Sequence, residues 1–271
     1  MITSRPYKIF RVVALALIVL AFIVPIVWMV LAAFKTNVDI YDAARTIIFT
    51  PTLENFDKVF AQGNFGQYIF NSALIAVAAT GLSIVLGVPA AFAMSRFVMN
   101  KSALVVLMAR VIPGVSLLVP WYYLFSQLRL VGSFWVLILA HMFVALPLIV
   151  YIMMGFFDGL PVELEESGQV DGLTPIGSFW YLMLPLSTPG IATAGILSFI
   201  FSWNNFLFAL VLSSSSTKTL PVAIYDFIGY ASIDWGALMA ASTVVTLPIM
   251  IMSLFAQKYI VSGLTAGATK G

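Results

Sequence analysis

The chain has 271 residues, of which 62% are hydrophobic and 9% charged, with a formal net charge of +2 and no cysteine. Soluble domains carry about a quarter charged residues, so there is too little polar surface here to cover a water-soluble core, and lipid is the remaining solvent. The small charge and the lack of like-charge runs argue against nucleic acid as a partner, and without cysteine neither a disulfide framework nor a thiolate metal site can form.

Apolar stretches long enough to cross ~30 Å of hydrocarbon as helices recur along the chain. Six transmembrane helices are predicted, at about residues 12–34, 68–94, 103–125, 133–156, 186–212 and 236–259. The class is therefore an all-α integral membrane protein, because backbone groups in lipid must be satisfied within each segment. The alternation over ~10 residues that marks a membrane barrel is absent. Residues 1–271 read as one transmembrane domain, with a first span at 12–34, a five-helix core at 68–259 and a long loop at 157–185. The run from Val12 to Phe34, after Arg5, Lys8 and Arg11, exceeds the 7–15 apolar residues of a usual secretory signal. It is expected to be an uncleaved span.

Pro25, Pro113, Pro120, Pro147 and Pro248 fall inside the predicted spans and should kink them. Prolines are common in membrane helices, and kinks also allow a pathway to open; both readings stand. For orientation, an inner N-terminus puts Arg5, Lys8, Arg11, Arg96, Lys101, Lys258 and Lys270 inside, and Lys35, Arg45, Lys58, Arg129 and Lys218 outside. The excess of basic residues favours both termini inside.

Three connecting segments are long. Residues 35–67 are polar and contain Pro51-Thr52-Leu53-Glu54-Asn55-Phe56; residues 213–235 open with four serines, read as a flexible run, and continue Leu220-Pro221-Val222. Residues 157–185 hold no Lys or Arg but carry Asp158, Glu163, Glu165, Glu166 and Asp171. Five acids on the inner side oppose the usual charge bias, which points to a partner. Pro161 suits a helix start, and the glutamates complement its positive end. Asp171-Gly172 stops that helix, and Thr174 with Pro175 starts a second. Ile176, Phe179, Trp180 and Met183 then share one apolar face at helical spacing.

The run from Leu160 to Gly172, continuing through Phe179 to Leu184-Pro185-Leu186-Ser187-Thr188-Pro189, closely resembles the EAA loop of ABC importer permeases. Glu166 matches the motif's glutamate, Gly172 its glycine and Asp171 the preceding acid, while Ser167-Gly168 replace the usual two alanines. Together with Pro51 to Phe56, Asn71-Ser72, Ser202-Trp203-Asn204-Asn205-Phe206 and Leu220-Pro221-Val222, the sequence resembles the carbohydrate branch, in its maltose-type second permease subunit. The resemblance implies a type I ABC importer permease fold with cytoplasmic coupling helices, in a bacterial inner membrane. It implies a second homologous permease, an ABC ATPase dimer, an extracytoplasmic solute-binding protein met by the 213–235 loop, and a sugar-like substrate. Glu163, Glu165, Glu166, Asp171, Gly172 and Phe179 are the implied ATPase-coupling residues.

The chain lacks a G-x-x-x-x-G-K-[ST] phosphate loop. It is therefore expected to bind no cofactor and to have no catalytic residue, with ATP and Mg held by the ATPase subunits. Polar residues inside spans suggest a solute path: Trp203, Asn204, Asn205 and His141 are the candidates. The asparagines can equally glue helices together, and His141 can be a satisfied structural histidine, with no ligand set for a metal. Arg110 and Gln127 belong to the same group, Arg110 read as structural. The competing class is a secondary transporter driven by an ion gradient, which needs coupling acids within spans; every acid here lies in a loop or at its edge. A membrane-embedded enzyme is the third class, and no paired His and carboxylate in a span supports it.

Overall fold

The computed structural model describes residues 5–62, 64–229 and 232–266. Lys270, counted above among the inner basic residues, lies outside them. Regular structure among the described residues is helical, apart from a lone bridge between Ile228 and Ile233. Contacts group the chain into two compact units: Met1–Phe65 with Ile224–Leu247, and Gly66–Ala223 with Pro248–Gly271.

The first unit contains α1 (Arg5–Ala33), α2 (Asn37–Tyr41) and α3 (Glu54–Asp57), and the opening of a long helix at Trp235–Ala266. Its polar links gather where α1 ends. The buried Asn55 amide donates to the carbonyls of Ala33 (2.9 Å) and Lys35 (2.7 Å), capping the orphan acceptors of the helix. Lys35 donates to the Thr46 carbonyl at 2.6 Å and lies over the rings of Trp28 and Phe49. Asn37 binds Asp234 (2.9 Å) and accepts from the Gly236 N–H (3.0 Å). Lys58 sits between Glu54 (3.0 Å) and Asp234 (3.7 Å). Burial pushes the Asp234 carboxyl upward, but bonds from the Ala237 N–H, Asn37 and Lys58 outweigh it and hold the group below its usual value.

The second unit is built on α4 (Phe65–Arg96), α5 (Asn100–Met108), α6 (Gly114–Gln127), α7 (Phe134–Asp158), α8 (Glu163–Val170), α9 (Pro175–Ser178), α10 (Leu184–Leu186), α11 (Thr188–Trp203), α12 (Leu207–Leu212) and α13 (Leu220–Ala223). The helix at Trp235–Ala266 is α14. The post of this unit is α7. One apolar cluster packs Ile75 and Ala79 of α4 on Val136, Leu137 and Ala140 of α7 and Phe208 of α12. A second packs Val88 and Ala91 on Ile149, Met153 and Phe157, with Phe179 and Met183. Small residues allow this closeness: a Cβ on Gly190 would sit 2.7 Å from the Phe156 ring, and one on Gly87 3.0 Å from Ile149.

The six expected spans are not all unbroken helices among the described residues. Among the described residues, four helices are long and apolar enough to cross a membrane: Tyr7–Ala33, Phe65–Arg96, Phe134–Asp158 and Trp235–Phe255. The pair Pro175–Leu186 and Thr188–Trp203, bent by 71°, makes a fifth when counted as one. The expected third span is interrupted between α5 and α6 at residues 109–113. Pro113 adopts an extended conformation there (ψ 126°); its ring disfavours helix in the residue before it, so the proline breaks this span instead of kinking it. Pro25, Pro89, Pro120, Pro147 and Pro248 lie inside helices. The expected fifth span is also interrupted, between α11 and α12. There the Asn204 amide donates to the Ile200 carbonyl, and the Asn205 side-chain oxygen accepts from the Phe208 N–H, bonds that compete with helix continuation.

The serine run is another correction: it is a tied turn. Ser214 and Thr217 both donate to the Gly132 carbonyl at 3.0 Å. Asn71 donates to the Ser216 and Lys218 carbonyls, and Ser72 accepts from the Leu220 N–H. Main-chain groups that would otherwise face water are used to fasten the turn to α4.

Candidate coupling loop and solute path

The acidic segment folds as two short helices joined by a sharp stop. At the end of α8, the Leu173 N–H donates to the Gly168 carbonyl (2.9 Å) and the Gly172 N–H to Gln169 (3.0 Å). This double closure requires a left-handed residue after the cap, and Gly172 supplies it at φ 93°. Thr174 caps α9, its hydroxyl accepting from the Gly177 N–H at 3.1 Å, with Pro175 at the first position. A wide π-type turn at Phe179–Met183 then leads through α10 into α11.

Arg96, the last residue of α4, holds this segment to the bundle. Its Nε is ion-paired with Glu165, and its two terminal nitrogens donate to the carbonyls of Phe157 (3.0 Å) and Leu160 (3.3 Å). The guanidinium thus adds a donor to the Phe157 carbonyl, which also accepts from the Leu160 N–H, and supplies one to Leu160 just past α7, while binding α8. Beside it, the Ser95 hydroxyl bonds Asp158. Sequence reasoning counted Arg96 only as an inner positive charge. The signal available was a basic residue at a span end, in a chain whose next inner loop holds five acids and no cation.

The six expected coupling residues separate into two groups. Glu163, Glu166, Asp171 and Gly172 are exposed. Glu165 and Phe179 turn inward, Glu165 to Arg96 and Phe179 against Phe92 at 4.9 Å between ring centres. The expected apolar face is corrected in the same way. Phe179 and Met183 are buried, whereas Ile176 is 72% and Trp180 55% exposed. The i→i+5 turn shifts the register by more than an α-helix would, and Trp180 leaves the buried side. Val170 and Tyr181 are also exposed, so the helix pair leaves both apolar and acidic side chains uncovered.

The expected path residues do not form one site. His141 is buried on α7 and meets the Ser202 hydroxyl of α11 at 2.6 Å. Trp203 is buried and stacked on Phe199. Asn204 is exposed and bonds its own helix, and Gln127 lies exposed at the end of α6. Asn205 alone of the four lines a cavity of ≈ 300 Å³, together with Arg110, Gly114, Phe143, Phe201 and Phe208. Arg110 was named in the sequence, but its aromatic neighbours Phe143, Phe201 and Phe208 carried no signal, because they come from three separate helices.

Comparison with known proteins agrees with this architecture. The family model described as binding-protein-dependent transport system inner membrane component matches residues 83–266. The sulfoquinovosyl glycerol transport system permease protein SmoH of Agrobacterium fabrum is 33% identical, over 96% of this chain and 93% of that protein. The trehalose transport system permease protein SugB of Mycobacterium tuberculosis is 36% identical, over 92% and 93% respectively. In fold, the chain is similar to a subunit of a bacterial ABC transporter involved in import of the acidic polysaccharide alginate, with TM-score 0.80, 18% identity, and 96% and 99% of the two chains covered.

Proposed function

The chain belongs to the binding-protein-dependent transport system inner membrane component family, as a carbohydrate-uptake ABC transporter permease, and from that premise we propose that it forms half of a sugar-conducting channel driven by separate ATPase subunits. The observation that carries the coupling role is the strapping of α8 to the ends of α4 and α7 through Arg96. A helix pair fixed to two spans moves them when it is pulled. Its outer residues Ile176, Trp180 and Tyr181, with Glu163, Glu166 and Asp171, offer both apolar and acidic side chains to a cytoplasmic ATPase. ATP-driven closure of the ATPase dimer then rocks this permease against a second, homologous one, a domain-closure transition. Both termini lie inside, and an extracytoplasmic binding protein delivers the solute to the tied turn at Ser214–Thr217. The cargo named for relatives includes sulfoquinovosyl glycerol and trehalose, and a glycoside of that size is the expected class.

The chain has no cysteine, so a single cysteine placed at Ile176 or Tyr181 is a clean reporter. In native vesicles it should cross-link to an ATP-hydrolysing subunit, and uptake should need ATP and binding protein but survive ionophores. A cross-link to no ATPase, or uptake driven by an ion gradient without ATP, refutes the proposal.

A further inference from the structure

Two helix interruptions meet at one cavity. The break between α5 and α6 brings Arg110 and Gly114 to it, and the break between α11 and α12 brings Asn205. Its α7 wall is Phe143 and Val144, the tenth and eleventh residues of a 25-residue helix that begins at Phe134, so the cavity lies close to the middle of a span. Charge at that depth is costly and calls for a counter-charge. Arg110 is exposed at this cavity, and none of the ion pairs among the described residues involves it.

The polar lining is one-sided. Asn205 uses its side-chain oxygen to accept from the Phe208 N–H at 3.1 Å, which leaves its NH2 as a donor. Arg110 has five N–H donors and no acceptor. The first N–H groups of the 14-residue α6 add a positive helix end at Gly114. The lining also holds the aromatic rings of Phe143, Phe201 and Phe208; Phe208 is stacked on Trp121, which meets Phe143 edge-on. A lining that combines donors with aromatic rings suits a molecule with a negative group and a carbon-rich face. We propose that this cavity is a solute subsite for an acidic sugar, with Arg110 binding a carboxylate, sulfonate or phosphate oxygen and Asn205 donating beside it. The inference rests on the sugar-permease reading and narrows its cargo to acidic glycosides.

The test uses the whole importer with its binding protein, in vesicles of phosphatidylcholine alone or with phosphatidylglycerol. Two labelled probes compete: a disaccharide ending in a hexuronic acid, and the matching neutral disaccharide. In the wild type the acidic probe is taken up. A charge-assisted bond is worth enough that Arg110→Gln should lower the acidic-to-neutral uptake ratio by about ten- to a hundredfold, with Arg110→Lys in between. Asn205→Ala should lower the ratio by less, and both lipid mixtures should give the same result. Uptake of the neutral probe only by the wild type overturns the acidic-sugar assignment and leaves the permease reading intact. So does an unchanged ratio in Arg110→Gln. An effect confined to phosphatidylglycerol assigns Arg110 to a lipid headgroup, and loss of co-purification with the second permease assigns it to a subunit contact; each overturns the proposal. Uptake of the probes that needs neither ATP nor binding protein would instead refute the permease reading.

Discussion

Replacing Arg96 by alanine tests whether the coupling loop is held as described. The Arg96 and Glu165 side chains are 12% and 11% exposed, so the mutation leaves a nearly buried carboxylate without its cation. It also removes the side-chain donor from the Leu160 carbonyl, while the Phe157 carbonyl keeps the Leu160 N–H at 3.1 Å. Breaking a buried pair by removing one partner costs about 3–5 kcal/mol, and with residual water access the lower end, ~3 kcal/mol, applies. Lysine keeps the charge but cannot bridge three acceptors with a planar fork, so Arg96→Lys should lose ~1–2 kcal/mol. The double cycle with Glu165→Gln should show a coupling of ~1–3 kcal/mol. Stability is read from thermal unfolding of the solubilised complex. Coupling is read as stimulation of ATPase activity by loaded binding protein, which Arg96→Ala should abolish because α8 no longer moves with α4 and α7. A loss under ~1 kcal/mol with normal stimulation would refute the strap.

Gly172 sits at φ 93° with nothing within 4 Å of a Cβ built on it. Gly172→Ala should therefore cost only the left-handed strain, ~1–2 kcal/mol. Gly172→Pro, whose φ is fixed near −65°, should abolish uptake; normal uptake by that variant would remove the turn from the mechanism. At Gly168 a Cβ would come within 2.5 Å of the Leu182 Cδ1, the movable end of a side chain. Gly168→Ala should be neutral within ~1 kcal/mol, since helix propensity offsets the repacking. Gly168→Leu should separate α8 from the Ser178–Leu182 segment and fail in the same unfolding measurement. The Asp39 carboxyl is held below its usual 3.8, first by its hydrogen bond from Arg45 and then by Thr36. A depressed carboxylate stabilises the fold above its unfolded value and loses that contribution as pH falls through the folded one. The stability difference between wild type and Asp39→Asn should thus be constant from neutral pH to about 5 and shrink below 3.8. A difference that fades between pH 7 and 5 would contradict the pairing.

What could be read in advance was local. The stop at Gly172, the Thr174 cap with Pro175, and the apolar lengths of α1, α4, α7 and α14 depend on neighbouring residues in the chain. What failed was facing. The sequence put Ile176 and Trp180 on one apolar face with Phe179 and Met183, gave Glu165 to partner contact or the helix dipole, and read the serine run as flexible. Each depended on a distant segment: Phe92 and Phe157 for Phe179, Arg96 for Glu165, and Gly132 for the serines.

Composition and apolar length alone fixed that the chain is a helical membrane protein, because only buried or lipid-facing residues can be this rich in hydrophobes. They could not tell which helix faces lipid. The spans Tyr7–Ala33 and Phe134–Asp158 are both strongly apolar, yet the most apolar stretch is 0% buried in the first and 61% in the second. In water, the solvent face of a helix must be polar, and periodicity reveals the packed side. Lipid and protein interior are equally apolar, so that contrast vanishes. Only the tertiary structure decided that α7 is the post, that Arg96 reaches a glutamate 69 residues away, and that two broken helices meet at Arg110 and Asn205.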